Sequence, residues 1–117
     1  MIVMDFWQAI DRLVAEHDRV IDRPAGSAHP RYPDFIYPLD YGYLCDTSSS
    51  DGGGIDVWRG TMDMGVVAVM TIVDLVKRDS EIKILLGCTE KELETVNRVH
   101  NETEHMKGIL SRRPPCN

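Results

Sequence analysis

The spacing of apolar positions changes along this chain, and each change predicts a different element. Phe6, Ile10, Leu13 and Val14 recur at helical intervals, and Asp5 with Gln8 has capping-box spacing. This predicts a helix over about residues 5–17. Arg19 to Ile21 reads as a short strand that Pro24 stops. Four prolines and two glycines between Arg23 and Tyr43 predict an ordered, winding segment with short extended pieces, in which Tyr37–Tyr43 is neither plain helix nor plain strand. Ser48–Gly54 is a polar loop. Ile55–Arg59 is a short strand. Gly65–Val73 is almost continuously apolar, as in a strand buried on both faces, and Glu81–Leu86 alternates. Paired as a hairpin, the last two place Asp74 and Glu81 at neighbouring strand ends. Thr89 and Glu92 form a second capping box. The helix that follows, with Leu93, Val96 and Val99 on one side, extends over about 90–107 to Gly108, leaving Arg112–Asn117 as a frayed tail.

Composition narrows the function. The 117 residues suit one domain, with an ordinary apolar fraction of 43%. A net charge of −6 argues against a nucleic-acid surface, which favours Lys and Arg. It does not exclude a small anion, because bound metal ions reverse the local sign. Neither a membrane span nor a secretion signal is evident. Cys45, Cys88 and Cys116 lack CxxC spacing and read as reduced thiols of a cytoplasmic protein.

The chemistry concentrates in Tyr37-Pro38-Leu39-Asp40-Tyr41-Gly42-Tyr43 and Asp51-Gly52-Gly53-Gly54-Ile55-Asp56. Tyrosine hydroxyls, clustered carboxylates and a glycine-rich loop are the parts needed to hold a divalent cation against a phosphate. Each residue also has a plain reading. Asp51 and Asp56 are good turn formers. Asp74 and Glu81 flank a turn, and Glu81–Lys83 suits an exposed ion pair. Tyr37 and Tyr43 suit core aromatics. His17, His29, His100 and His105 share no metal-ligand spacing and suit surface or helix-packing positions.

Taken in order, Tyr37–Tyr43, Asp51…Asp56 and Asp74…Glu81-Ile82-Lys83 resemble the motifs of soluble family I inorganic pyrophosphatases. Val20-Ile21-Asp22-Arg23-Pro24, followed by Pro30-Arg31-Tyr32, is similar to the family's first motif. The resemblance covers roughly residues 19–87. It implies a mainly β fold with flanking helices, a small closed OB-like barrel within one domain over 1–117. The implied reaction is Mg²⁺-dependent hydrolysis of pyrophosphate to two phosphates, with Mn²⁺ as an alternative ion and a related phosphoanhydride as an alternative substrate. Asp51, Asp56, Asp74 and Glu81 become metal ligands, and Asp22 an outer ligand acting through water. Lys83 and Arg31 contact phosphate oxygens, and Tyr41 sits near the attacking water. Asp56, Tyr41 and Lys83 form the catalytic set. Assembly into a homo-oligomer is also implied, with Trp7 or Trp58 at a subunit contact.

The chain departs from that pattern at several points. Gly53 replaces the family's second loop aspartate, and Gly54 its proline. Arg31 replaces a lysine, Pro33 a glutamate, and Glu81 an aspartate. A phosphate-binding hairpin is missing between Pro33 and Tyr37, and no late Tyr-Lys pair is evident around His100-Asn101 or Met106-Lys107. A slow hydrolase therefore stands beside a non-catalytic phosphate- or metal-binding module. An OB-type barrel for single-stranded nucleic acid needs a basic groove with stacking aromatics, and the negative charge opposes it.

Overall fold

The computed structural model describes residues 3–115. In chain order the elements are α1 (Phe6–Glu16), β1 (Arg19–Arg23), β2 (Asp40–Leu44), β3 (Asp56–Arg59), β4 (Val66–Asp74), β5 (Asp79–Leu86), α2 (Glu90–Val99) and β6 (Met106–Arg112). Both expected capping boxes form. The Asp5 carboxylate accepts from the Gln8 N–H, and the Thr89 hydroxyl from the Glu92 N–H.

The strands make one six-stranded sheet in the order β1-β2-β3-β5-β4-β6. This sheet is open, with β1 and β6 at its edges, and not the closed barrel expected. Its two faces explain why. Ile10 of α1, flanked by Trp7, Leu13 and Val14, packs on Leu44, Val57, Val69 and Ile84. On the other face Leu93 and Val96 of α2 pack on Trp58, Ala68, Met70 and Leu85. A small closed barrel buries one face inside itself. Here each face is buried by its own helix.

The C-terminal half differs from expectation at residue 100. α2 ends at Val99, not near residue 107, and Met106–Arg112 pairs antiparallel with β4. Asn101 makes the reversal: its amide donates to Asn97 O at 2.8 Å, and its side-chain oxygen accepts from Gly108 N at 3.1 Å. Gly108 thus lies in a strand, where a Cβ would come within 2.5 Å of the Met70 Cε. Nor are Arg112 and Arg113 a frayed tail. Arg112 pairs with Glu90, and Arg113 grips both Asp11 oxygens at 2.6 and 2.7 Å, tying the end of the sheet to α1. Cys116 lies outside the described residues.

The winding segment contains more strand than expected, because its end, from Asp40, is β2. Close approach to β1 makes Gly42 necessary: a Cβ there would lie 1.7 Å from Val20 O. Gly42→Ala should therefore cost at least ~1–3 kcal/mol of stability, since a crowded backbone must shift. A lowered urea midpoint checks this, and an unchanged midpoint would contradict the β1–β2 contact.

Candidate functional site

Strand register assembles a polar cluster on the α2 face. Tyr41 lies opposite Trp58, and Tyr43 opposite Asp56, across β2–β3. β3 runs parallel to β5 with Val57 opposite Ile84 and Trp58 opposite Leu85, which sets Asp56 beside Lys83. Glu81 is two residues from Lys83 and so on the same face.

Lys83 stands at the centre, its side chain 7% exposed. Its ammonium donates to Tyr41 Oη at 2.6 Å and Asp56 Oδ2 at 2.8 Å, and contacts Glu81 Oε1 at 2.7 Å. An ammonium has three donors, and these contacts engage all of them. Tyr41 Oη in turn donates to Asp56 Oδ2 at 2.7 Å. Burial, the largest influence, disfavours the ammonium, but Tyr41, Asp56 and Glu81 together outweigh it and hold the Lys83 pKa above its ordinary value. Burial likewise pushes the Tyr41 hydroxyl up, so it remains protonated. One lysine against two carboxylates leaves an excess of one negative charge. Glu81 Oε2 is buried with no hydrogen-bond partner.

The other expected site residues sit outside this cluster. Asp51 Oδ1 accepts from the Ser49 hydroxyl and from Gly53 N, closing its own loop, and its other oxygen faces Lys77 at 3.9 Å. The Ser49 and Gly53 donors, with Lys77 and Lys83 nearby, lower its pKa. Asp74 pairs with Asp79 and caps the β4–β5 turn through Val76 N and Lys77 N, whereas Glu81 pairs with Ile72. The two are therefore not at neighbouring strand ends. Asp22 faces Arg23 at 4.0 Å. Arg31 is exposed in the loop before β2, which makes tight turns from Ser27 N to Pro24 O and from Phe35 N to Tyr32 O. Register and turn chemistry thus converge Tyr41, Asp56, Glu81 and Lys83. Among the described residues, no group of three or more His, Cys, Asp or Glu is placed to hold a metal.

The sequence suggests a surface or helix-packing position for His100, and Trp7 or Trp58 at a subunit contact. Trp58 is buried, and its indole N–H donates to His100 Nε2 at 3.0 Å. The proton of His100 is therefore on Nδ1, a buried atom without a protein partner. A signal was available: Leu93, Val96 and His100 are spaced i, i+3, i+7, on one helical face. Tyr37 is a core aromatic as expected, its hydroxyl accepting from Arg23 at 3.0 Å.

No family model matches this sequence, and no curated protein matches it. Solved structures do. An inorganic pyrophosphatase from Coxiella burnetii aligns with TM-score 0.61 at 15% identity, over 80% of this chain and 84% of that one. An inorganic pyrophosphatase from Neisseria gonorrhoeae aligns with TM-score 0.57 at 19% identity, over 82% and 80%. An inorganic phosphatase from Anaplasma phagocytophilum aligns with TM-score 0.55 at 12% identity, over 85% and 84%. The chain has the inorganic pyrophosphatase fold, in a divergent form that no sequence-level family match accompanies.

Two outcomes follow for the buried groups. Lys83→Met should cost about 3–5 kcal/mol, because it leaves Glu81 buried without its cation and Asp56 with only the Tyr41 hydroxyl. Urea unfolding of the variant and the wild type measures the loss, and an unchanged midpoint would contradict the buried pairing of Lys83. Burial first, then Lys83, holds the His100 pKa down from 6.5 to about 3. Between those values the unfolded chain binds more protons, so stability falls as pH drops from about 6.5 toward 3. His100→Gln should flatten that slope. An unchanged slope would mean that His100 is not the group responsible.

Proposed function

We propose that this chain hydrolyses inorganic pyrophosphate to two phosphates with Mg²⁺, slowly. The observation that carries the reading is the Lys83 ammonium bound by Tyr41, Asp56 and Glu81, in a cluster with excess negative charge and an unpartnered Glu81 Oε2. A polyanion approaching such a cluster needs a cation first. The all-oxygen donors, and the buried oxygen without a partner, suit a hard divalent ion. Asp56 and Glu81 would hold it, while Asp51 stays engaged with Ser49 and Gly53 in its own loop. Once bound, Mg²⁺ lowers the pKa of a water and screens phosphate charge. The chain's own residues do the rest: Lys83 presents positive charge to a phosphate oxygen, and the protonated Tyr41 hydroxyl orients a water. Asp22, Asp74 and Arg31 are peripheral in this reading. Soluble, cytoplasmic operation and homo-oligomeric assembly belong to the same proposal. Among the described residues no helix is long and apolar enough to cross a membrane.

Gly53 supports the slow rate, since a missing general base costs on the order of 10²–10⁴. A second reading, a phosphate- or metal-binding module without turnover, is favoured by the same Gly53 and by the dispersal of Asp22 and Asp74.

Phosphate release from pyrophosphate with Mg²⁺ or Mn²⁺, on wild type and Asp56→Ala, tests the two. Slow, metal-dependent release that drops at least tenfold in the variant is expected, on the scale of lost positioned groups. Equal release from both proteins removes the enzyme. Metal-dependent thermal stabilisation without release leaves the binding module. Gly53→Asp is the follow-up. A Cβ at Gly53 meets only the Asp51 Oδ1, at 3.3 Å, whereas at Gly54 it would strike Leu44 O at 2.8 Å. The aspartate fits where the family's proline does not, and rate should rise.

A further inference from the structure

We propose that His100 is a positioning residue for the Lys83 site: acting through the Trp58 indole, it sets the ring of Tyr41 and so the direction in which the Tyr41 hydroxyl is presented. This rests on the hydrolase reading above, in which that hydroxyl orients a water, and adds to it a residue from the C-terminal end of α2.

Two hydrogen bonds hold the tip of Tyr41 and leave its ring to be placed. The hydroxyl accepts from Lys83 Nζ at 2.6 Å and donates to Asp56 Oδ2 at 2.7 Å. A phenol can still swing about its own oxygen, so the ring needs walls. Tyr37 supplies one, its ring centre 5.3 Å away. Trp58, the partner of Tyr41 across β2–β3, supplies the closer one: the ring centres are 4.6 Å apart, with the planes at 63°. The Lys83 ammonium also lies 5.1 Å from the centre of the Tyr41 ring, so a tilt of that ring alters both of its contacts with the cation.

Trp58 is in turn oriented by one directional bond. Its side chain is fully buried, and its apolar neighbours Leu85, Leu93 and Val96 attract it without directional preference. The indole has a single polar atom, and a buried N–H needs an acceptor. It finds Nε2 of His100 at 3.0 Å. The backbone under that imidazole is held independently of the ring, because His100 N donates to Val96 O at 3.1 Å. Contact is therefore continuous from His100 to Trp58, from Trp58 to Tyr41, and from Tyr41 to Lys83 and Asp56.

The cation at the site also preserves its own support. His100 accepts from the indole only while Nε2 is bare, that is, as a neutral imidazole. Burial, and then the positive charge of Lys83, hold it in that form. The ammonium that Tyr41 must meet thus keeps His100 able to fix Trp58.

The test compares His100→Leu, which removes the acceptor, with His100→Gln, whose amide oxygen replaces Nε2, each also in a Trp58→Phe background that lacks the indole N–H. Urea unfolding first establishes that every variant is folded under assay conditions. In Mg²⁺, kcat for phosphate release from pyrophosphate should fall about tenfold in His100→Leu with KM nearly unchanged, on the scale of a group misplaced by a fraction of an ångström. His100→Gln should keep most of the wild-type kcat, and His100→Leu should add no further loss once Trp58 is replaced. A second readout needs no turnover: the ¹⁵N NMR signal of the Lys83 ammonium should move in His100→Leu and stay in place in His100→Gln. An unchanged kcat or an unmoved Lys83 signal in folded His100→Leu ends this inference. So does a glutamine variant as impaired as the leucine variant, or an additive loss in the Trp58→Phe background. Absence of phosphate release from wild type ends the hydrolase reading, and the ammonium signal still decides the role of His100.

Discussion

The rest of the structure depends on one buried cation. The Lys83 ammonium is out of water, and burying a charge is costly unless it is paired and hydrogen-bonded. Its acceptors come from three different strands: Tyr41 from β2, Asp56 from β3, and Glu81 from its own β5. Each must arrive within a few tenths of an ångström, so the register of β2 on β3 and the parallel pairing of β3 with β5 are constrained together. A buried ion pair of this kind is weak evidence for stability, since an apolar replacement often does as well. Its geometry is demanding, and that fits a site better than a core.

That demand accounts for features elsewhere. β2 must approach β1 at Gly42, where no side chain fits. Trp58, whose alternation also orients Asp56, must lie flat in the α2 core, and its N–H then requires an acceptor. His100 supplies it, at the point where α2 stops and Asn101 turns the chain into β6. The polar cluster is thus the edge of an apolar layer that α2 completes, and disturbing the helix end reaches the lysine through Trp58. The excess negative charge would oppose a polyanion that arrived without a cation.

Much of this was legible along the chain. Both capping boxes, both helix starts and the two long strands follow from local rules about hydrogen-bond termini and alternation. The Tyr41, Asp56 and Lys83 set was visible through motif order, because that order reflects which strands must neighbour one another. Glu81 was visible as chemistry but not as a buried group: its alternation with Lys83 reads equally well as a solvated face, and only its tertiary surroundings exclude water there. Asp74 shows the reverse. A carboxylate directly before a turn has backbone N–H groups to cap, and that local use competes with a distant ion.

Local pattern determined the element types, the helix caps and the candidate residues, because these depend on neighbours a few positions away. Sheet closure, the end of α2 and the fate of each carboxylate were decided only in three dimensions. Whether a sheet closes depends on what covers its second face, and α1 does so from the far end of the chain. Whether Met106–Arg112 is helix or strand depends on the free edge of β4. Whether an aspartate binds a turn, a lysine or an ion depends on which donors the register brings within 3 Å, and that distance is written in no single stretch of sequence.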